Sequence, residues 1–141
     1  MVDRMEAEAV ANGWTFRFTE TRVVQVRVDH RFTLLLEGGV QIILEEPFEL
    51  DRGDGTSRVP AGEADHEVGD ALPLLHHRVV LARATSNGDL RIGFDDGAVV
   101  RVPVDPHFES WQILRRNGEQ WIGAPGGGVT HILPHHPGTA R

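Results

Sequence analysis

Histidine has the widest range of chemistry among the residue types of this sequence, and its eight copies are unevenly placed. His76 and His77 are adjacent, while His131, His135 and His136 fall within six positions. Imidazole is the commonest metal ligand in proteins. However, adjacent side chains of a strand point to opposite faces, and a segment rich in glycine and proline does not hold ligands in a fixed geometry. We therefore predict neither a metal site nor a bound cofactor.

The other catalytic patterns are incomplete. Asp29 precedes His30, but consecutive strand side chains diverge, so we do not expect this carboxylate to orient the ring of a general base. The sequence contains no cysteine and no lysine, which excludes a thiolate nucleophile and a Schiff base. No serine stands in a Gly-x-Ser-x-Gly turn. We predict no catalytic residue and favour a protein that is not an enzyme.

The negative charge of the chain is concentrated in residues 45–70. This segment holds nine acidic residues and two arginines, which gives −7, whereas the remaining chain holds twelve of each and is neutral. Because no basic stripe offsets this charge, we predict no nucleic-acid partner. We expect an acidic face that binds a protein partner or a second copy of the chain. The residues predicted to carry it are Glu63, Asp65, Glu67 and Asp70.

The alternative interpretation is a pocket for a small molecule, with or without a modest enzymatic activity. Such pockets often form at the mouth of a β structure, with a volume above about 300 Å³ and a few converging polar groups. The residues predicted to line it are His30, Arg101, His107 and Trp111. Large aromatic residues also fill cores, and we favour core packing for the tryptophans.

Alternation of apolar and polar residues predicts strands over most of the chain. Gly38-Gly39 predicts one hairpin, and Asn87-Gly88, Asp96-Gly97 and Asn117-Gly118 predict three more, since these dipeptides suit tight turns with positive φ. We expect residues 79–123 to form a single antiparallel meander. The predicted strands are 14–18, 24–28, 32–36, 40–44, 79–84, 90–94, 98–102, 108–114 and 120–123.

Two segments predict helices. Val2, Met5 and Ala9 are spaced for one helical face, which Asn12-Gly13 would end. A second helix is expected near residues 63–76, with Pro73 ending it early.

Together these patterns predict a mainly β fold. We expect antiparallel sheets in a sandwich or half-open barrel of about eight or nine strands, covered by the helix near 63–76. The predicted organisation is an N-terminal helical arm (1–13), a single β-rich domain (14–123) and a Gly/Pro/His-rich tail (124–141), in which 129–133 can dock as an edge strand. An exposed edge strand would allow a homodimer.

Three stretches, taken in order, resemble a known family. They are Val-Asp-His-Arg-Phe-Thr-Leu (28–34), Phe-Asp-Asp-Gly through Pro-Val-Asp-Pro (94–106) and Phe-Glu-Ser-Trp-Gln-Ile (108–113). Over about residues 14–125 the chain resembles a family of small uncharacterised actinobacterial proteins, and this resemblance implies no activity and no site residue. The Asp-Gly…Trp strand pattern is also similar to some bacterial toxin-immunity proteins, which implies a function by binding.

The sequence therefore predicts a protein-interaction module that is not an enzyme and is immunity-like or self-associating. No apolar run reaches the length of a membrane span, and the first residues lack the apolar core of a signal peptide. We accordingly expect a cytoplasmic protein with no membrane partner.

Overall fold

The computed structural model describes residues 2–60 and 66–134. These residues form a mainly β structure in which all strands pair antiparallel, as predicted, together with a 3-10 helix over His66–Leu74. The strands are β1 (Met5–Val10), β2 (Gly13–Val28), β3 (Phe32–Leu36), β4 (Gln41–Leu44), β5 (Phe48–Asp51), β6 (Thr56–Val59), β7 (Arg78–Thr85), β8 (Leu90–Phe94), β9 (Val99–Val102), β10 (Trp111–Leu114), β11 (Gln120–Gly123) and β12 (Val129–Ile132).

The long strand β2 joins two half-sheets. Its first part, residues 13–22, pairs with β1 and β7, and its last part, residues 23–28, pairs with β3. The partners change where the register shifts, close to Glu20, whose φ is +43°. The first half-sheet contains β1, β2, β7, β8, β9, β5 and β6, and the second contains β2, β3, β4, β10, β11 and β12 in that spatial order.

The two half-sheets enclose one apolar core. Trp121 of β11 packs edge-on against Phe16 of β2, with 5.1 Å between ring centroids. Phe32 of β3 contacts Phe48 of β5 at 5.2 Å. Trp111 of β10 is fully buried and donates its indole N–H to the carbonyl of Gly88 at 2.8 Å. The prediction of core packing for Trp111 and Trp121 is therefore confirmed.

The predicted number of strands, eight or nine, was wrong, because the described residues form twelve. Runs 14–18 and 24–28 belong to the single strand β2. β5 and β6 lie in the acidic segment, where Phe48 and Leu50 face the core and charged neighbours face outward. β12 forms an edge of the sheet, so the predicted docking of 129–133 as an edge strand is confirmed for Val129–Ile132.

Both predicted helices were also wrong. Residues Met5–Val10 form β1, because Glu6 and Glu8 alternate with inward-facing Met5 and Ala7, and pairing with β2 uses this period of two. Near 63–76 the described residues form only the 3-10 helix, in which Ala71 and Leu74 are buried. That spacing of three fits a 3-10 turn, and Pro73 removes a helical donor. No helix in the described ranges is long and apolar enough to cross a bilayer.

The predicted hairpins formed, but the single meander did not. β7, β8 and β9 pair in sequence, as do β10, β11 and β12. However, β10 pairs with β4 and not with β9. The bend from Pro103 to Pro106 carries the chain from the first half-sheet to the second, since proline cannot donate to a ladder. At Gly38-Gly39 the β3–β4 hairpin closes through a short 3-10 turn and not through a two-residue loop.

Candidate functional site

The structure describes only part of the predicted acidic face. Glu63 and Asp65 lie outside the described residues, Glu67 belongs to the 3-10 helix, and Asp70 is exposed. The acidic segment nevertheless contributes to a surface site through its first residues, Glu45 and Glu46.

The four residues predicted to line one pocket do not lie together. Trp111 is in the core and His30 is exposed in the β2–β3 turn. Arg101 and His107 line two different clefts, one on the outer face of the first half-sheet and one between loops. The structure does not bring these four residues together, since Arg101 precedes the Pro103–Pro106 bend and both His107 and Trp111 follow it.

An open cleft of about 600 Å³ lies where the β4–β5, β9–β10 and β11–β12 loops meet. We call it the acidic cleft. Phe108 is 65% exposed at this cleft, although it is a large apolar side chain. The carboxylate of Glu45 is held by the Gln112 side-chain amide at 2.7 Å. The lining residues are Glu45, Glu46, His107, Phe108, Glu109 and Pro125.

Asp105 fixes the loop that presents Phe108. Its Oδ1 accepts hydrogen bonds from the backbone amides of His107 at 2.8 Å and Phe108 at 2.9 Å. The hydrogen bond from the backbone amide of His107 is the main reason that the pKa of Asp105 is lowered. Burial, followed by a hydrogen bond and repulsion from Asp105, raises the pKa of the neighbouring Glu46. Burial and the neighbouring Asp105 therefore make Glu46 hold its proton more tightly than an ordinary glutamate does.

A second cleft, of about 490 Å³, lies on the outer face of β7, β8, β9 and β5. Arg83, Arg91 and Arg101 line it, together with Glu49 and Asp89. We call it the arginine cleft. Oδ1 of Asp89 accepts the Val104 amide at 2.8 Å, so this carboxylate is already engaged by the loop that follows β9.

The histidine of β12 takes part in a polar and aromatic cluster. Nε2 of His131 lies 2.8 Å from Oε2 of Glu119, and Oε1 of Glu119 accepts a hydrogen bond from Arg115 at 2.8 Å. The imidazole stacks on Trp121 and contacts Trp14, with centroids 4.9 and 4.6 Å away. Burial acts to raise the pKa of Glu119, but the hydrogen bonds from Arg115 and His131 outweigh it, and the pKa is lowered. The cluster fastens the edge strand β12 to the core.

His77 joins a different ion-pair network. Its Nδ1 lies 3.0 Å from Asp95, and its Nε2 lies 3.6 Å from Asp96. Asp96 also lies 3.5 Å from the guanidinium of Arg52. The ligand atoms of His77, Asp95 and Asp96 lie close enough together to hold a metal ion, and each ring nitrogen of His77 faces a different carboxylate. Burial acts to raise the pKa of Asp95, but the hydrogen bonds from His77 and from the Arg78 amide, together with the charges of those two residues, outweigh it, so the pKa is lowered.

Comparison with known proteins places the chain in a family. The model of a family of unknown function (DUF6188) matches residues 14–132. The chain belongs to this family. Both clefts and the His131 cluster lie within the matched residues of this DUF6188 chain, whereas β1 precedes them. No curated protein and no solved structure matches the chain.

Phe108 and two of the clustered arginines, Arg83 and Arg91, were not among the predicted site residues. A signal for the arginines was present, because Arg83 and Arg91 are each four residues from Asn87, and Arg91 and Arg101 are each five residues from Asp96. Hairpins centred on those turns place the three residues opposite one another. No comparable signal marks Phe108, whose exposure depends on how the loop crosses between half-sheets.

Proposed function

We propose that this chain is a cytoplasmic protein-interaction module without enzymatic activity, and that it binds a basic protein partner in the acidic cleft. The observation that carries this proposal is the exposure of Phe108 beside Glu45, Glu46 and Glu109. Exposed aromatic side chains serve as anchors in interfaces, and charge of one sign around them selects and steers a partner of the opposite sign.

Each part of the cleft contributes a different term to binding. Covering the side chain of Phe108 removes apolar surface from water and is worth about 1.5–3 kcal/mol when burial is complete. The carboxylates favour a partner segment that carries arginine or lysine next to an apolar residue. Because Asp105 fixes the amides of His107 and Phe108, the anchor is held in place before the partner arrives, which lowers the entropic cost of binding.

The proton held by Glu46 gives this interaction a pH dependence. A cationic partner prefers the ionised carboxylate, so binding and protonation of Glu46 compete. Since the pKa of Glu46 is raised, we expect affinity to increase as pH rises through that pKa and to decrease below it.

A defined peptide tests the proposal directly. The probe is a fluorescein-labelled nonapeptide of alternating arginine and leucine, and its binding is followed by fluorescence anisotropy at fixed ionic strength. We expect E45Q/E46Q to weaken binding by about tenfold or more, and Phe108→Ala by about fivefold or more. The matched control is E6Q/D54N, which removes two exposed carboxylates elsewhere and should stay within about twofold of the unmodified chain.

Equal losses in E45Q/E46Q and in E6Q/D54N would show that only net charge matters, and would refute the cleft as the binding site. Charge reversal at Glu63, Asp65, Glu67 and Asp70 tests whether the interface extends along the acidic segment. If only that charge-reversal variant loses peptide binding, the binding site is the face predicted from the sequence and not the acidic cleft.

The nature of the partner has two versions. In the immunity-like version, which rests on the resemblance to toxin-immunity proteins, the partner is a basic protein that the module neutralises. In the self-associating version, the partner is instead a second copy of the chain, which pairs along the exposed edge strand β12 and not through the acidic cleft. Light scattering coupled to size exclusion separates them, because only the second version predicts a mass that doubles with concentration.

A further inference from the structure

Four arginines and one glutamate form a single row across five adjacent strands. Arg83 of β7 is paired with Arg91 of β8, and Arg91 is paired with Arg101 of β9. Arg101 is then paired with Glu49 of β5, which is paired with Arg58 of β6. In β7, β8 and β9 the residues on both sides of each arginine are buried, so the row lies on the outer face.

This row is unfavourable for the isolated sheet. Like charges directly opposite one another on antiparallel strands are destabilising. In the part of the chain that the structure describes, no carboxylate lies within 4.0 Å of a guanidinium nitrogen of Arg83 or Arg91, and Arg101 has one partner, Asp51, at 3.5 Å. The chain carries 21 acidic residues for 14 basic ones, so the placement of three arginines directly beside one another does not follow from composition.

The arginines surround a space of suitable size. Three neighbouring strands extend over about 10 Å at the usual spacing of about 4.8 Å, and the arginine cleft above them has a volume of about 490 Å³. A guanidinium group can donate two parallel hydrogen bonds to the oxygens of one phosphate group. Two phosphate groups joined by a bridging oxygen can contact all three arginine side chains. Of the two carboxylates in the lining, Asp89 is engaged by the Val104 amide, and Glu49 lies beyond Arg101 beside Arg58.

We propose that the arginine cleft binds a small polyanion of the diphosphate class through Arg83, Arg91 and Arg101. The ligand neutralises the repulsion along the row, and Arg91, at the centre, contacts it together with both neighbours. A small ligand fits better than a nucleic acid, because the negative charge of residues 45–70 repels a long polyanion. This site shares no residue with the acidic cleft and is independent of the proposed function.

Titration calorimetry with inorganic pyrophosphate at constant ionic strength tests the site. We expect Arg91→Gln to weaken pyrophosphate binding by about tenfold or more. The control is Arg17→Gln, which changes an exposed arginine of the same half-sheet that is paired with Glu8 at 3.2 Å and should leave the affinity within about twofold. Without pyrophosphate, Arg91→Gln should melt at the same temperature as the unmodified chain or higher, because it relieves repulsion.

Three results would overturn the proposal. The first is no heat of binding beyond that of sodium chloride, and the second is an equal loss in both variants. In the third, vesicles of phosphatidylglycerol capture the unmodified chain while pyrophosphate does not bind, which would assign the row to a membrane surface. If Arg91→Gln melts at a lower temperature without ligand, a double variant R83Q/R101Q decides: retained pyrophosphate binding in it refutes the site.

Discussion

A methyl group added at Gly123 should damage the contact between the two half-sheets. Gly123 lies in β11 against Trp111, and a Cβ built there would stand 2.7 Å from Cδ1 and 2.8 Å from Cε2 of the indole, and would also overlap Nε1. The indole is fully buried and its N–H donates to Gly88 of the first half-sheet. Trp111 must therefore move, and its hydrogen bond must break.

The expected loss of stability combines two effects. Overpacking a dense core costs about 1–3 kcal/mol, and losing the hydrogen bond of a buried group adds about 1 kcal/mol. We expect Gly123→Ala to lower the free energy of unfolding by about 2–4 kcal/mol, measured by urea denaturation and followed by circular dichroism.

Gly93→Ala is the matched control. Gly93 is also a strand glycine, in β8, but a Cβ there would meet only the Leu81 carbonyl oxygen at 3.7 Å. It should be neutral or stabilising by up to about 1 kcal/mol, because it reduces the entropy of the unfolded chain.

The same substitution in a chain with phenylalanine at position 111 tests the contact between Gly123 and the indole separately. Phenylalanine has no indole N–H, so in a Trp111→Phe chain there is no hydrogen bond to break, and the added methyl group at Gly123 should cost about 1 kcal/mol less than it does beside tryptophan. The predicted clash with the indole is refuted if Gly123→Ala and Gly93→Ala have the same effect, and the predicted loss of the hydrogen bond is refuted if Gly123→Ala costs as much with phenylalanine at 111 as with tryptophan.

Two further predictions concern charged residues. The pKa of Glu119 in the folded chain lies below its ordinary value of 4.5, so its ionised form stabilises the fold above that pH, and this contribution is lost as pH falls through the folded pKa. Urea midpoints measured between neutral pH and about pH 3 should decline less steeply for Glu119→Gln than for the unmodified chain, and equal slopes would contradict the assignment. Asp105→Ala removes the acceptor of the hydrogen bonds from the His107 and Phe108 amides. It should weaken binding of the arginine/leucine peptide as much as Phe108→Ala does. Retained anisotropy binding in Asp105→Ala would show that the loop does not need this acceptor.

Much of the local structure could be predicted from the sequence, because it depends on neighbours along the chain. The turns at Asn87-Gly88, Asp96-Gly97 and Asn117-Gly118 formed hairpins as predicted, since a dipeptide that accepts positive φ specifies its own strand pairing. The alternation of residues 24–28 and 32–36 likewise predicted paired strands. The membership of a family of unknown function also agrees with the resemblance seen in the sequence.

Contacts between distant segments could not be predicted in this way. The helical spacing of Val2, Met5 and Ala9 gave way to a strand because β2 offered a partner edge for Met5–Val10. The pairing of β10 with β4 depends on the Pro103–Pro106 bend. The two prolines predict that a strand ends there, but they do not predict which strand the following segment pairs with. Arg101 and His107, six residues apart, were consequently assigned to one pocket although they line separate clefts.

Periodicity and turn chemistry are local properties, so they were enough to predict a mainly β fold and to predict which residues of most strands face the core. Which surface residues meet depends instead on the three-dimensional arrangement of the strands. That arrangement brought Glu45 and Glu46 to the loop of Phe108 and aligned four arginines across five strands. These contacts depend on the order of the strands in the sheet. That order follows from burying one common core and cannot be predicted from any single segment of the chain.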